Sequence, residues 1–381
     1  MAPPAAREPP GAPSLLPGLL EEVRRAADPS GFVAFDRFMD LALYASGLGF
    51  YARAPPPFGP HGDFYTAPRV HPIFGRTLAG RIAQLHREMG PDRPFRLVEL
   101  GPGDGTLAAS ILEALDQPSP GSPSLEYVLV DRSPALLRAA ADRLEPFRRS
   151  HGFAIRETES LGALGPFEGV VIANEVLDAQ PVRRLRWTGD GWRELGVRLE
   201  GDRWIAAEAP LRAPVPGSPL DAPPEAGGIV EVAPLAEAIV REVADHLVRG
   251  TAIFLDYGME ERELVHAHPY GTLAAVRGHR FVEDPLERPG ESDLSTFVNF
   301  TRIRAAARRA GLRERSYLSQ AEALGAWGFQ RLFEQEVRAA GSPENEVRLR
   351  LAVKNLLFGF ERFRVLELDA PGGPAGPPTP T

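Results

Sequence analysis

The fold is decided by Leu97-Val98-Glu99-Leu100-Gly101-Pro102-Gly103-Asp104-Gly105-Thr106-Leu107. A largely apolar run, Phe95–Leu100, stops at three glycines spaced two apart, and a helical pattern begins at Thr106. A strand, a tight glycine turn and a helix start open a nucleotide-binding βαβ unit. Glycine lets the backbone bend sharply and approach a ligand, and the free N–H groups of a helix start suit an anionic group.

The spacing of the glycines distinguishes between the classes of ligand that such a turn can bind. Dinucleotide-binding turns have the pattern G-x-G-x-x-G, and Thr106 stands where their third glycine belongs. An acidic residue two positions before G-x-G-x-G resembles the first motif of class I S-adenosylmethionine (SAM) methyltransferases. The resemblance implies that SAM is bound by Glu99, Gly101, Gly103 and Gly105. A dinucleotide site and a purely structural turn are the alternatives.

The composition excludes several classes of protein. The chain has 381 residues, a net charge of −8 and no basic stripe, so no nucleic-acid partner is expected. It contains no cysteine, which excludes disulfides and thiolate chemistry and fits a cytoplasmic location. No apolar run approaches the roughly 20 residues of a membrane span, so no membrane partner is expected.

The core alternates strand and helix patterns. Further strand patterns lie at 126–130, 153–156, 169–173 and 251–255, with helical patterns between them. This order predicts an α/β fold, a Rossmann-like parallel sheet with helices on both faces. We expect the seven-stranded, mostly parallel sheet of class I methyltransferases within residues 91–369. The closing stretch, 362–368, begins with the alternation of an edge strand.

Other segments depart from this alternation. Residues 18–90 have the helical patterns of an N-terminal extension, in which the aromatics either pack or form a lid over a cleft. Residues 182–224 hold two glycine turns between alternating stretches, which predicts an inserted antiparallel β-meander. Residues 1–17 and 370–381 are rich in proline, with alanine or glycine, and are expected to be a disordered arm and tail without a secretory signal.

Polar residues follow the predicted strands, where ligands of such sheets bind. Asp131 ends the second strand, and its carboxylate can accept hydrogen bonds from both hydroxyls of a ribose. Its alternative role is to cap the next helix, but Ser133 and Pro134 already have the residue types of that helix start. Ser160 follows the third strand, in a loop that meets adenine in class I methyltransferases. An ordinary solvated loop is the open alternative.

The fourth strand ends at Asn174-Glu175-Val176-Leu177-Asp178, an amide and two carboxylates beside the expected cofactor. Methyl transfer needs a positioned nucleophile and often the removal of a proton. Carboxylates can hold an always-charged guanidinium by forked hydrogen bonds. Asn174, Glu175 and Asp178 are therefore the predicted catalytic residues. Loop capping by Asn174 and Asp178 is the alternative.

With these residues assembled, the chain resembles the MidA-type family of class I SAM-dependent methyltransferases over residues 32–368. That family includes a mitochondrial arginine methyltransferase that assists assembly of respiratory complex I. Besides the glycine motif, the resemblance rests on Phe35-x-x-Phe38-Met39, Gly62-Asp63-Phe64-Tyr65-Thr66, Asn174-Glu175-x-x-Asp178-Ala179, Asp256-Tyr257-Gly258 and Gly271-Thr272-Leu273.

The resemblance implies SAM as methyl donor, with Asp63 and Thr66 closing over it, and a protein arginine as acceptor. The sequence departs from the family pattern at Arg76, at Asn299 and after Leu273, in regions that could touch substrate. A small-molecule or peptide acceptor, a non-catalytic assembly protein and, more distantly, a nicotinamide-dependent enzyme stay open. The expected partner is a protein or peptide substrate, and a homodimer is left open.

No metal site is predicted. His266 and His268 alternate inside a polar loop, and His279 follows it. No full ligand set at metal-binding spacing accompanies these histidines. They are expected to be solvated or to face the substrate.

Overall fold

The computed structural model describes residues 17–53, 67–90, 95–115, 125–151, 153–201, 203–214, 224–278 and 280–372. Its helices are α1 Pro17–Ala26, α2 Phe35–Tyr44, α3 Ala67–Val70, α4 Ile73–Met89, α5 Thr106–Ala114, α6 Pro134–His151, α7 Pro234–His246, α8 Glu261–Ala267, α9 Phe300–Arg309, α10 Gln320–Ala326, α11 Phe329–Ala339 and α12 Pro343–Phe358. Its strands are β1 Phe32–Ala34, β2 Phe95–Leu100, β3 Leu125–Val130, β4 Ala154–Thr158, β5 Phe167–Asn174, β6 Arg183–Trp187, β7 Trp192–Glu200, β8 Arg203–Pro210, β9 Ile229–Val232, β10 Leu247–Met259, β11 Ala274–Arg277, β12 Arg280–Phe281, β13 Asp293–Ser295, β14 Val298–Asn299, β15 Arg313–Ser319 and β16 Phe363–Asp369.

The main sheet has the strand order β15-β16-β10-β5-β2-β3-β4. The strands from β10 to β4 run parallel to one another, whereas β16 runs antiparallel to both β10 and β15. Within the described residues this sheet has eight strands rather than the predicted seven. The additional strand is β14, whose two residues pair with the end of β10.

The prediction that the closing stretch is an edge strand is wrong, because β16 lies between β15 and β10. Two of its charged side chains, Glu367 and Asp369, are buried in ion pairs, whereas Arg364 is half-buried and donates to backbone carbonyls. Glu367 accepts two hydrogen bonds of 2.7 Å from Arg81, and Asp369 accepts one of 2.8 Å from Arg315. The acidic residues at the end of β16 therefore have buried partners supplied by α4 and β15.

Alternate side chains of the parallel strands enter two apolar layers, as the period of a strand requires. Leu97 and Ile172 face one layer, which also contains side chains of α4, α5 and α6. Val98 and Val171 face the other layer, with side chains of α7 and α9. The sheet is thus covered on both faces, and its strand ends are left to form a site.

A second sheet is built around the predicted insertion. The antiparallel strands β6, β7 and β8 lie at the two predicted hairpins. This sheet extends beyond residues 182–224, because β1 pairs with β7 and β9 pairs with β6. A strand of three residues such as β1 carries too little periodicity to be recognised from sequence.

The predicted N-terminal region, 18–90, divides between the two sheets. Side chains of α1 and α2 share an apolar cluster with β1 and β7, whereas α4 packs on the main sheet. The predicted arm and tail fall largely on residues 1–16 and 373–381, which lie outside the described residues. Among the described helices, none has the length and apolarity needed to cross a membrane.

Candidate functional site

A cavity of about 400 Å³ lies at the carboxyl ends of β2, β3 and β5, where parallel α/β sheets bind ligands. The turn that follows each strand forms part of its wall. The predicted site residues that line it are Glu99, Gly101, Gly103, Asp131, Ser160, Asn174, Glu175 and Asp178. Asp63 and Thr66 lie outside the described residues, so their role stays a prediction.

The turn after β2 needs glycine for two different reasons. Gly101 has φ of +62°, and a Cβ there would lie 2.8 Å from Cγ2 of Val176, so a side chain would intrude at the cavity wall. Gly105 has φ of +78°, and a Cβ there would lie 3.0 Å from Cα of Ala140 on α6. Gly105 is not part of the cavity wall. It allows α5 to approach α6 closely.

Glu99 is a buried carboxyl at the end of β2. Its side chain is 2% exposed, and Oε2 accepts a hydrogen bond of 2.6 Å from the hydroxyl of Tyr127. Burial raises the pKa of Glu99 to about 7, although this hydrogen bond opposes the change. A carboxyl of this kind can accept hydrogen bonds from a cationic group of a ligand.

Asp104 is a site residue that sequence reasoning misses. Its Oδ1 accepts hydrogen bonds from the backbone N–H (3.2 Å) and hydroxyl (2.7 Å) of Thr106, at the start of α5. Its Oδ2 accepts from Arg69 at 2.6 Å and from Arg143 at 2.7 Å. An Asp just before a helix start is a recognisable signal, but the two arginine partners come from distant segments.

Asp131 follows β3, and one of its two carboxylate oxygens accepts a hydrogen bond within the protein. Oδ1 accepts a hydrogen bond of 2.7 Å from the N–H of Ser133, while the hydroxyl of Ser133 accepts one from Leu136 at the start of α6. Asp131 therefore shares in ordering this turn, which the sequence analysis assigned to Ser133 and Pro134. Oδ2 makes no hydrogen bond to the described part of the chain. Burial raises the pKa of Asp131 to about 6.

The loop after β5 holds its first carboxyl in an unusual backbone conformation. Glu175 has φ of +54°, a region that non-glycine residues rarely occupy. Its Oε1 accepts a hydrogen bond of 3.2 Å from Nδ2 of Asn174. Burial, followed by the nearby charge of Asp178, raises the pKa of Glu175 to about 8.

The second carboxyl of this loop, Asp178, is 6% exposed. Its Oδ1 is buried and has no hydrogen-bond partner among the described residues. Burial raises the pKa of Asp178 to about 6, and the nearby hydroxyl of Tyr257 opposes the change. A buried acceptor without a partner is costly, and a cationic donor in the cavity would relieve that cost.

Asp256 of β10 fixes the conformation of this loop, and it was not among the predicted site residues. Asp256 is 1% exposed, and its Oδ2 accepts the backbone N–H groups of Val176 at 3.1 Å and Leu177 at 2.8 Å. Its Oδ1 accepts the N–H of Tyr257 at 3.0 Å. Asp256 is thus a positioning residue. Its motif is visible in sequence, but its contact with the loop is not.

Aromatic side chains from the N-terminal region complete the wall. Tyr44 and Tyr51 line the cavity, with their rings stacked at a centroid distance of 5.4 Å. The hydroxyl of Tyr44 donates to the carbonyl of Ala179, and that of Tyr51 donates to Asp293. Packing and cavity lining, which the sequence presents as alternatives, are combined in these two residues.

Two residues that depart from the family pattern, Arg76 and Asn299, make contacts that stabilise the fold. Arg76 forms an ion pair with Glu336. Asn299 accepts a hydrogen bond of 3.2 Å from the N–H of Arg302 and so caps α9. Neither residue lines the cavity within the described part of the chain.

The described residues contain no group of three His, Cys, Asp or Glu that could hold a metal ion. His266 lies on α8, and the ring of His268 lies 5.0 Å from that of Phe297 in an edge contact. His279 falls outside the described residues.

The sheet and the glycine-turn cavity define an α/β methyltransferase. The chain belongs to the family described as "Putative S-adenosyl-L-methionine-dependent methyltransferase", whose model matches residues 77–318. A crystal structure of a protein from Burkholderia thailandensis bound to S-adenosyl-homocysteine is similar, with a TM-score of 0.84 and 32% identity. The similarity covers 96% of this chain and 95% of that chain. The protein is a SAM-dependent methyltransferase, and SAM is its cofactor.

Curated relatives extend the similarity. The protein named protein arginine methyltransferase NDUFAF7, mitochondrial, of Danio rerio is 28% identical over 73% of this chain and 69% of its own length. The Drosophila melanogaster homologue is 28% identical over 77% of this chain and 70% of its own length. Both are named as mitochondrial proteins, which contradicts the expectation of a cytoplasmic location.

Proposed function

We propose that this methyltransferase acts on an arginine side chain of a protein. The observation that carries the proposal is the pair Glu175 and Asp178 on the wall of the cavity that also contains the glycine turn. One oxygen of Asp178 is buried there without a partner among the described residues. A guanidinium offers five N–H donors and a permanent charge, which suit two carboxylates. The names of the curated relatives support the same acceptor.

The residues present fit SAM, because Gly101 leaves the cavity wall without a side chain and the carboxyls of Glu99 and Asp131 line the same cavity. We assign the amino-acid end of SAM to Glu99, Gly101 and Gly103, with Glu99 accepting from the ammonium group. We assign the ribose hydroxyls to Asp131, through Oδ2, and the adenine to the loop of Ser160. SAM supplies a methyl group that its sulfonium makes electrophilic.

The loop after β5 carries the residues that would bind and deprotonate the arginine acceptor. Glu175 and Asp178 would hold the guanidinium and direct one nitrogen toward the cofactor. As that nitrogen gains a methyl group, one N–H proton must leave, and a carboxylate is its acceptor. Glu175 suits this role because burial raises its pKa to about 8. Asn174 orients the carboxyl through the 3.2 Å hydrogen bond to Oε1.

We also infer that the main sheet is the class I arrangement of seven strands, with β14 as a local addition. The path from β15 to β4 supports this, because β16 is the strand on this path that runs opposite in direction to the rest. The proposed partner is a protein or peptide substrate. The net charge of −8 supports a partner that carries positive charge.

Methyl-labelled SAM tests the acceptor directly. The protein is incubated with labelled SAM and host proteins, and the label is located by mass spectrometry. We expect methylated arginine with the wild type and little or none with Gly103→Arg, which blocks the cavity, or with Glu175→Gln. The matched control is Glu263→Gln, an exposed carboxyl on α8. Label on a small metabolite, with none on arginine, would refute the proposal.

A further inference from the structure

The motif Gly271-Thr272-Leu273 does not line the cavity within the described residues, and its contacts lie behind the wall. Its partner is Glu231 of β9, which is 8% exposed. Oε2 of Glu231 accepts from the backbone N–H of Thr272 at 2.7 Å and from its hydroxyl at 2.6 Å. Oε1 accepts from the N–H of Leu273 at 3.2 Å and from Nε of Arg184 at 3.0 Å. One buried carboxylate therefore holds the motif in place.

The glycine of the motif allows this close contact. Gly271 has φ of +86°, and a Cβ there would lie 2.8 Å from Oε1 of Glu231 and 3.2 Å from Nη2 of Arg184. A residue other than glycine would strain this turn and push Thr272 away from the carboxylate. The type of residue at 271 thus follows from the contact that residue 272 makes.

The hydroxyl of Thr272 links Glu231 to a second segment of the chain. It donates to Glu231, and it accepts from the backbone N–H of Phe297 at 2.9 Å. The preceding N–H group, that of Thr296, donates to the carbonyl oxygen of Asp178 at 3.0 Å. Two successive peptide groups between β13 and β14 therefore bind Thr272 on one side and the acceptor loop on the other.

This contact and that of Asp256 hold different parts of the acceptor loop. Asp256 accepts from the N–H groups of Val176 and Leu177, which precede Asp178. Thr296 binds the carbonyl that follows the Asp178 side chain. Together they fix the backbone on both sides of that side chain, and so the direction of its carboxyl. One oxygen of this carboxyl is buried without a partner among the described residues, so its direction decides where a guanidinium can bind.

We propose that Glu231 and Thr272 are positioning residues for the acceptor arginine. They fix the turn at Thr296 and, through it, the direction of the Asp178 carboxyl. The inference rests on the proposed function, in which Asp178 holds the guanidinium. Neither Glu231 nor Thr272 lines the cavity in the described part of the chain, so both act through Asp178 rather than by touching the cofactor or the acceptor.

Thr272→Val tests the link, because valine keeps the branched shape of threonine and removes the hydroxyl. A pool of arginine-centred peptides is titrated, with labelled SAM as donor. We expect the apparent KM for the peptides to rise about tenfold, because a displaced carboxyl positions the guanidinium less well. The value of kcat should change less, since Asp178 binds the guanidinium both before and during transfer. Thr272→Ser keeps the hydroxyl and should restore the wild-type KM. The affinity for SAM, measured by calorimetry, should be unchanged in both variants.

Thr301→Val is the matched control. The hydroxyl of Thr301 also lies between a carboxylate and a backbone donor, since it donates to Glu260 and accepts from the N–H of Glu261 at 2.9 Å. Both valine variants leave one N–H group unpaired, so their urea midpoints should fall by similar amounts. The peptide KM should rise in Thr272→Val alone. Glu231→Gln, which turns an NH₂ group toward donors, should raise the KM in the same direction.

The results separate a failure of the positioning role from a failure of the proposed function. If Thr272→Val and Thr301→Val have the same peptide KM, or if Thr272→Ser does not restore the wild-type KM, the hydroxyl of Thr272 does not position Asp178, and arginine remains the acceptor. If the wild type labels metabolites and no peptide, arginine is not the acceptor, and the role given to Asp178 is lost together with that of its supports.

Discussion

The backbone conformation of Glu175 is fixed by its neighbours. Its positive φ is costly for a side chain other than glycine and persists only where neighbours fix it. The backbone N–H of Glu175 donates to the carbonyl of Leu255 at 2.9 Å, and Asp256 binds the N–H groups that follow. The strained conformation of Glu175 is therefore fixed by hydrogen bonds from the surrounding site.

Glu175→Gln should abolish a pH dependence that the wild type shows. In the wild type, kcat/KM should rise with pH toward about 8, because the carboxyl must lose its proton before it can hold a guanidinium or accept a proton from it. The glutamine variant should be slower by roughly 10²-fold or more and lack this rise. Glu263→Gln serves as the control in the same pH–rate series. An unchanged profile in Glu175→Gln would assign the ionisation to another group.

Asp131→Asn should weaken the binding of SAM about tenfold, because a carboxylate accepts from ribose hydroxyls more strongly than an amide does. Isothermal titration gives the affinity of each variant for SAM. Asp142→Asn, the same exchange at an exposed position of α6, is the control. Equal affinities in both variants would contradict the assignment of the ribose.

Individual site residues were predictable where they directly follow a strand. Asp131 and the loop 174–178 could be placed from the strand pattern, because parallel strands end at one edge of the sheet. Glu99 lies inside β2 and was placed by the glycine motif that follows it. Asp104 and Asp256 could not be assigned, because their roles depend on partners far away in the sequence. Gly105 was assigned to the cofactor, yet its close neighbour is Ala140 on α6.

At the scale of elements, one loop depends on a neighbouring strand. Asp256 on β10 accepts hydrogen bonds from the loop after β5 through Oδ2 and from Tyr257 through Oδ1. Both oxygens act as acceptors, so an asparagine would turn its NH₂ group toward a backbone donor on one side. The carboxylate is therefore specific to this arrangement.

Asp256→Asn should lower the free energy of unfolding by about 1–3 kcal/mol, the cost of leaving buried groups unpaired. It should also weaken SAM binding and slow methyl transfer, because the loop with Glu175 loses its support. Urea denaturation measures the first effect as a lower midpoint with an unchanged slope. Asp142→Asn is again the matched control. A normal midpoint together with normal activity would show that the loop holds its shape without Asp256.

Elements with strong periodicity were predicted well, whereas the arrangement of charged elements was not. The bounds of β2 follow directly from its apolar run. The position of β16 in the sheet could not be predicted. Acidic residues such as Glu367 and Asp369 are typical of exposed positions, and their buried partners, Arg81 and Arg315, lie far away in the sequence. Buried ion pairs leave no local signal in a sequence.

Across the whole molecule, buried carboxyls make the stability depend on pH. The pKa of Glu99 is raised to about 7, so the folded chain binds this proton more tightly than the unfolded chain does. The free energy of unfolding should therefore fall as the pH rises from about 5 to 8 in the cofactor-free protein. Asp131 and Asp178, with pKa values raised to about 6, contribute in the same direction.

Glu99→Gln isolates one part of this dependence. The variant lacks the ionisation, so its loss of stability between pH 5 and pH 8 should be smaller than that of the wild type by on the order of 2–3 kcal/mol. Urea midpoints at both pH values provide the comparison, and Glu263→Gln controls for the exchange. Parallel curves for the wild type and Glu99→Gln would mean that Glu99 keeps an ordinary pKa in the folded chain.

The second sheet imposes an order on biosynthesis. Phe32 of β1 pairs with Arg198 of β7, so a ribosome that adds about 5–20 residues per second delivers the two partners on the order of ten seconds apart. The side chains of β1 are buried in the finished protein. Until β7 emerges, β1 lacks its pairing partner. We expect chaperones to bind nascent chains at this segment, as detected by crosslinking, and to release it once β7 has left the exit tunnel.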